Sequence, residues 1–144
     1  AKNLFTGRGK DFGRKLEETL VVIALERNLT KNRILELYLN CIEYGVKLYG
    51  IGPASQFYFG KKPAELSPPE IAFLMHLKPW PKAAWAQARK GMLPQGWRAG
   101  VEKRLNDMVR LGYITQAEKD AMAPYDPIEA RTGGKPLPEP ARGR

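Results

Sequence analysis

The first chemical signal in this sequence is the run Arg14-Lys15-Leu16-Glu17-Glu18. Residues four apart share a helix face, so on a helix Arg14 and Glu18 lie side by side. Asp11 suits an N-cap, which puts Arg14 and Lys15 in the first turn. Cations are disfavoured there, because the helix dipole is positive at that end. An arriving anion relieves the crowding, and phosphate is the usual anion at such a site. The same spacing also serves as an ordinary surface salt bridge, worth about 0.2–0.5 kcal/mol. Behind these residues runs an apolar rod, Leu20 to Leu25.

A site of this kind needs a core to hold it. The 144 residues are 43% hydrophobic and 27% charged, which suits one globular domain. A net charge of +9 favours acidic partners: nucleic acid, anionic lipid or a phosphorylated ligand. The single cysteine, Cys41, excludes an internal disulfide framework and a cysteine-rich zinc site. The single histidine, His76, sits in the apolar run Ile71 to Leu77 and reads as a core or boundary residue. With one histidine, a metal cluster or a Ser-His-Asp triad is disfavoured. No stretch reaches the roughly 18–20 apolar residues of a spanning helix, and no signal peptide is recognisable. The sequence opens at Ala1 inside what reads as the end of a helix, so a piece of a longer protein is expected.

The elements follow from periodicity and caps. Gly7 and Gly9 break the chain after Phe5. A helix is predicted from about Phe12 to Asn28, apolar nearly all round and therefore buried on several sides. Thr30 caps a second, Lys31 to about Asn40, with Ile34, Leu35, Tyr38 and Leu39 on its apolar face. Cys41 to Gly52 is a loop of glycines and aromatics. A short helix from Pro53 to Phe59 ends at Gly60. Ser67-Pro68-Pro69-Glu70 starts the next with a capping box, and Pro79 and Pro81 stop it after Lys78. Ala83 to Gln95 reads as a short helix and a loop. Arg98 to Leu111 is helical, with Val101, Leu105, Met108 and Val109 inward. Thr115 and Glu118 cap a last helix near Gln116 to Met122. Residues 123–144, rich in proline, glycine and charge, read as a linker or disordered tail. No strand alternation stands out, so the expected class is all-α.

In this order the pieces resemble the peptidoglycan glycosyltransferase domain of bifunctional penicillin-binding proteins and monofunctional biosynthetic transglycosylases, glycosyltransferase family 51. Ala1-Lys2-Asn3-Leu4-Phe5 resembles the tail of the family's second motif. Arg14-Lys15-Leu16-Glu17-Glu18 matches its Arg-Lys-x-x-Glu motif. Lys31 to Asn40 matches Lys-x-x-Ile-Leu-Glu-x-Tyr-Leu-Asn at every fixed position. Tyr49-Gly50 and Tyr58-Phe59-Gly60-Lys61 match the segment that follows, and Gly112 to Thr115 resembles the closing helix-turn. Each motif is weak alone. The ordered set with its spacings is specific.

The resemblance implies a lysozyme-like, multi-helix, all-α fold, with residues 1–122 as a partial transglycosylase domain. It implies polymerisation of lipid II into glycan strands, with release of undecaprenyl diphosphate and inversion at the anomeric carbon. Such chemistry needs a base for the attacking hydroxyl and positive charge for the departing diphosphate. Glu18 is similar to the family's second catalytic glutamate, beside which a divalent cation, Mg or Mn, is expected to help. Lys2, Asn3, Arg14 and Lys15 resemble its diphosphate-contacting residues. Glu36, Tyr38 and Asn40 resemble motif residues that hold the fold. The implied partners are lipid II and the growing glycan chain, at the extracytoplasmic face of the bacterial inner membrane. Contact with the membrane surface is expected through an N-terminal segment upstream of Ala1. No base-reading module is recognisable, so no nucleic-acid partner is expected.

The family's general base lies in a Glu-Asp-x-x-Phe motif upstream of Ala1, so these 144 residues alone are expected to be inactive. The late Arg-Arg-x-x-Val-Leu motif is altered. Its arginines fall at Gly100 and Val101, and its Val-Leu at Arg104 and Leu105, with Arg98 or Arg104 as candidate replacements. Lys47 stands where the family often has glycine. These departures raise an alternative, a non-catalytic domain that binds lipid II or a cell-wall partner. A lysozyme-like hydrolase fits less well. It wants an acid in an apolar pocket, whereas cations beside Glu18 favour the ionised carboxylate.

Overall fold

The structure is a computed structural model that describes residues 28–137. The chain divides into two compact units, residues 1–42 and 43–144. The predicted helix from Phe12 lies almost wholly outside the described residues.

In the first unit, α1 spans Lys31–Cys41. Thr30 caps it as expected, its Oγ1 accepting from the Arg33 N–H at 3.3 Å. The other end closes where the Ile42 N–H donates to the Tyr38 carbonyl at 3.1 Å. Ile34, Tyr38 and Leu39 are half-buried, but Leu35, on the predicted apolar face, stays 54% exposed.

The second unit begins with a small antiparallel hairpin, β1 (Glu43–Gly45) and β2 (Leu48–Tyr49). The aromatic loop is thus partly a hairpin, too short to show alternation. Lys47 takes a left-handed backbone, φ 57°, at its turn. Such a backbone favours glycine, the residue that the resembled family often has where this chain has Lys47. Gly45 needs its missing side chain: a Cβ there would lie 2.8 Å from Trp85 Cδ1 and 3.1 Å from the Tyr58 hydroxyl. That hydroxyl donates to the Tyr44 carbonyl at 2.8 Å, tying the hairpin to the next helix.

Helix α2 covers Ile51–Phe59 and ends at Gly60 in a left-handed conformation, φ 66°. It starts before the predicted Pro53 because a proline in the first turn has no hydrogen bond to lose. A 3-10 turn, Pro63–Glu65, leads to α3, Pro68–Leu77, whose capping box forms as read. The prolines that stop α3 also start α4, Pro81–Ala88. Helix α5 is longer than predicted, Gln95–Arg110, and α6 covers Gln116–Ala121 behind its Thr115–Glu118 box. The core lies where α3 packs on α5: Phe73, Leu74 and Leu77 from one, Val101 and Leu105 from the other. Tyr58 and Phe59 meet Phe73 edge-on, with centroids at 5.2 and 5.9 Å.

The reading of residues 123–144 as a linker or disordered tail is corrected for its first part. Pro127–Thr132 forms α7. Ile128 is fully buried and Leu137 nearly so. The Leu137 N–H donates to the Arg89 carbonyl at 3.1 Å, and Thr132 Oγ1 to the Gly91 carbonyl at 2.8 Å. Composition misled here because two apolar anchors suffice when backbone groups are satisfied by neighbouring segments. The fold is mostly helical, as expected, with one hairpin added among the described residues.

Candidate functional site

The expected catalytic and diphosphate-binding residues, Glu18, Lys2, Asn3, Arg14 and Lys15, lie outside the described residues. The α1 motif residues are described. Glu36 Oε2 accepts from Arg33 Nη1 at 2.7 Å. Both side chains are more than half exposed, so the pair contributes at most about 1 kcal/mol. Asn40, one turn on, shares the Glu36 face and is exposed, whereas Tyr38 is half-buried.

In the second unit, the end of α3 and the middle of α5 build a cationic cluster. The His76 imidazole stands edge-on to Trp97, with centroids 5.1 Å apart and planes at 78°. It covers Gly100, where an added Cβ would collide with the ring. Burial, and then the Arg104 charge, lower the His76 pKa below its ordinary value. The same two causes, in the same order, lower that of Lys78. Both causes disfavour the charged imidazole, and both disfavour the charged Lys78 amine, beside the Arg104 guanidinium. Asp107 partly offsets the guanidinium charge, 3.4 Å from Arg104 Nη1 and 2.9 Å from Arg110 Nη2.

This arrangement shows where the altered late motif lies in the fold. Val101 is fully buried and Gly100 lies under His76, so neither position presents a long cation to solvent. Of the two candidate replacements, Arg98 is occupied structurally. Its Nε donates to the Leu93 carbonyl at 2.9 Å and sits 3.8 Å from Asp126 Oδ2. Arg104 is the one whose charge is felt at the end of α3. Sequence reasoning missed Asp126, the buried acid that joins α5 to α7. The signal was present: Asp126-Pro127-Ile128-Glu129 follows the helix-start pattern of cap, proline and acid. Among the described residues no His, Cys, Asp or Glu side chains converge as a metal site. None of their helices is long and apolar enough to cross a membrane.

The transglycosylase family's model matches residues 1–109. The chain belongs to this family. It is 48% identical over 82 residues to the biosynthetic peptidoglycan transglycosylase of Nitrosomonas europaea, covering 57% of this chain and 34% of that protein. The protein of the same name from Acinetobacter baumannii is 45% identical over 82 residues, 57% of this chain and 36% of that one. Penicillin-binding protein 1A of Pseudomonas aeruginosa is 41% identical over 133 residues, 90% of this chain and 15% of that protein. The chain thus spans about a third or less of the length of these relatives. Likeness to the last extends beyond residue 109, into the segment that holds α6 and α7.

Proposed function

We propose that the protein to which this chain belongs is a peptidoglycan glycosyltransferase that polymerises lipid II into glycan strands, releasing undecaprenyl diphosphate. The observation that carries this reading is the Arg14-Lys15-x-x-Glu18 motif, in order with Lys31 to Asn40, inside the segment matched to the transglycosylase family. An acceptor sugar hydroxyl attacks the anomeric carbon, the bond to the diphosphate breaks, and configuration inverts. Arg14 and Lys15, with Lys2 and Asn3, hold the diphosphate and stabilise the charge that develops on it. Glu18 stays ionised among these cations. Glu18 would hold a Mg or Mn ion, which would supply further positive charge to the departing diphosphate. The proton of the attacking hydroxyl is taken by a general base, the role a Glu-Asp-x-x-Phe glutamate plays in the resembled family. A lipid-linked substrate implies a reaction at a membrane surface, and the family resemblance supports the extracytoplasmic face of the bacterial inner membrane.

Gly100 and Val101, in place of two arginines, favour a second reading: a domain that binds lipid II without turning it over. Incubating the full-length protein with labelled lipid II separates the two. A ladder of glycan polymer supports the transferase. Retention of lipid II without polymer supports the binder, and shortening of preformed glycan contradicts both.

A further inference from the structure

A cavity of about 500 Å³ opens between the end of α2, the start of α3 and the segment Met122–Arg131. That volume lies in the range of small-molecule sites. Phe59, Met122, Pro124, Tyr125 and Pro127 give it apolar walls, and Lys61, Glu70, Asp126 and Arg131 bring charge.

Both oxygens of each acid are engaged by the protein itself. Glu70, 6% exposed, accepts from Lys61 Nζ at 2.8 Å on Oε1 and from the Ser67 N–H at 2.7 Å on Oε2. Asp126, 4% exposed, accepts from the Ile128 and Glu129 N–H groups on Oδ1 and from the Leu93 N–H on Oδ2. The cations are not so engaged. Lys61 donates to Glu70 and leaves the rest of a half-exposed ammonium open. Arg131 Nη1 donates to the Phe57 carbonyl, and its Nη2 lies over Gly60. An arginine carries five donors in a rigid fork, so most of the fork remains. The unfilled capacity of the charged groups is therefore that of donors, set against apolar walls. Asp126 is already offset by Arg98, so Lys61 and Arg131 face the charge of Glu70 alone, and the single positive charge left over suits a monoanion better than a phosphate dianion.

We propose that this cavity binds a carboxylate carried on an apolar body, either a small aryl or alkyl acid or a peptide's C-terminal carboxylate behind an apolar residue. The carboxylate lies between Lys61 and Arg131, and its apolar body packs against Tyr125 and the prolines. This site does not depend on glycan polymerisation.

The test is a titration of the ¹⁵N-labelled full chain followed by amide shifts. The probes are 3-phenylpropionate, 3-phenylpropionamide, N-acetyl-Leu-Phe acid and inorganic phosphate. The acids are expected to shift Lys61, Tyr125 and Ala130 together and to bind at least about tenfold tighter than the neutral amide, a difference of about 1.4 kcal/mol. Lys61→Gln removes that preference. Ala130→Trp fills the cavity without removing a charge and abolishes binding, which keeps the test decisive should Lys61→Gln fail to fold. Tighter binding of the peptide acid assigns a peptide terminus, and tighter binding of 3-phenylpropionate a small acid. Equal affinity for acid and amide, preference for phosphate, absence of shifts at these residues, or binding that survives Ala130→Trp would overturn the proposal.

Discussion

Two helices in this chain begin with the same grammar. Ser67-Pro68-Pro69-Glu70 opens α3, and Asp126-Pro127-Ile128-Glu129 opens α7. In each, a capping residue precedes a proline in the first turn and an acid three places on. The outcomes differ. The start of α3 is a local device, with the Glu70 carboxylate returning to the Ser67 N–H at 2.7 Å. The start of α7 is also a joint. Asp126 caps its own helix and accepts from the Leu93 N–H at 2.8 Å, 33 residues away, with Arg98 alongside. A short helix that could not stand alone is fixed because its cap closes a second segment too.

Asp126→Ala should break this joint and produce the largest effect. It leaves three buried or part-buried N–H groups without their acceptor. The expected loss is about 3–5 kcal/mol in urea unfolding, against about 1 kcal/mol for Ser67→Ala. Equal losses would mean that α7 is only a local helix.

The far end of α3 offers the next largest effect. Gly100→Ala drives a methyl into the His76 ring and should cost about 1–3 kcal/mol despite alanine's better helix propensity. In a His76→Ala background the same change should instead stabilise by roughly 1 kcal/mol. A double-mutant cycle measures this reversal.

His76 also gives the fold a pH dependence. Its folded pKa is lowered by burial and then by Arg104. The unfolded chain therefore binds the proton more readily, and stability rises with pH across this window. The contribution is complete above the ordinary histidine pKa. It declines as pH falls through that value towards the folded one. Urea midpoints between pH 5 and 8 should show the decline, and His76→Gln should flatten it.

The smallest effect belongs to the hairpin. Lys47→Gly removes the cost of a left-handed lysine, φ 57°, at the expense of added chain entropy. A net gain of about 0.5 kcal/mol is expected in thermal unfolding.

Caps and periodicity made most of the helices legible before any coordinates. Thr30, Ser67 and Thr115 marked starts that the structure confirms. The segment after Ala123 was not legible, because prolines and glycines diluted its two buried anchors, Ile128 and Leu137. The Asp126 cap is masked in the sequence because the surrounding segment is rich in proline and glycine. The hairpin is hidden because β2 is only two residues long. The altered late motif was visible in the sequence, but its place in the fold was not. Only packing reveals that the His76 ring occupies the space beside Gly100. Of the proposed site, the ordered motifs carry Arg14, Lys15 and Glu18, all of which lie outside the described residues.

The proposed chemistry rests most directly on the carboxylate of Glu18 beside its two cations. Polymerisation of labelled lipid II by the full-length protein, compared with its Glu18→Gln variant, tests it. Loss of the glycan ladder in the variant, with thermal unfolding and lipid II retention unchanged, is the predicted result. A Glu18→Gln protein that polymerises lipid II at the wild-type rate would contradict the account.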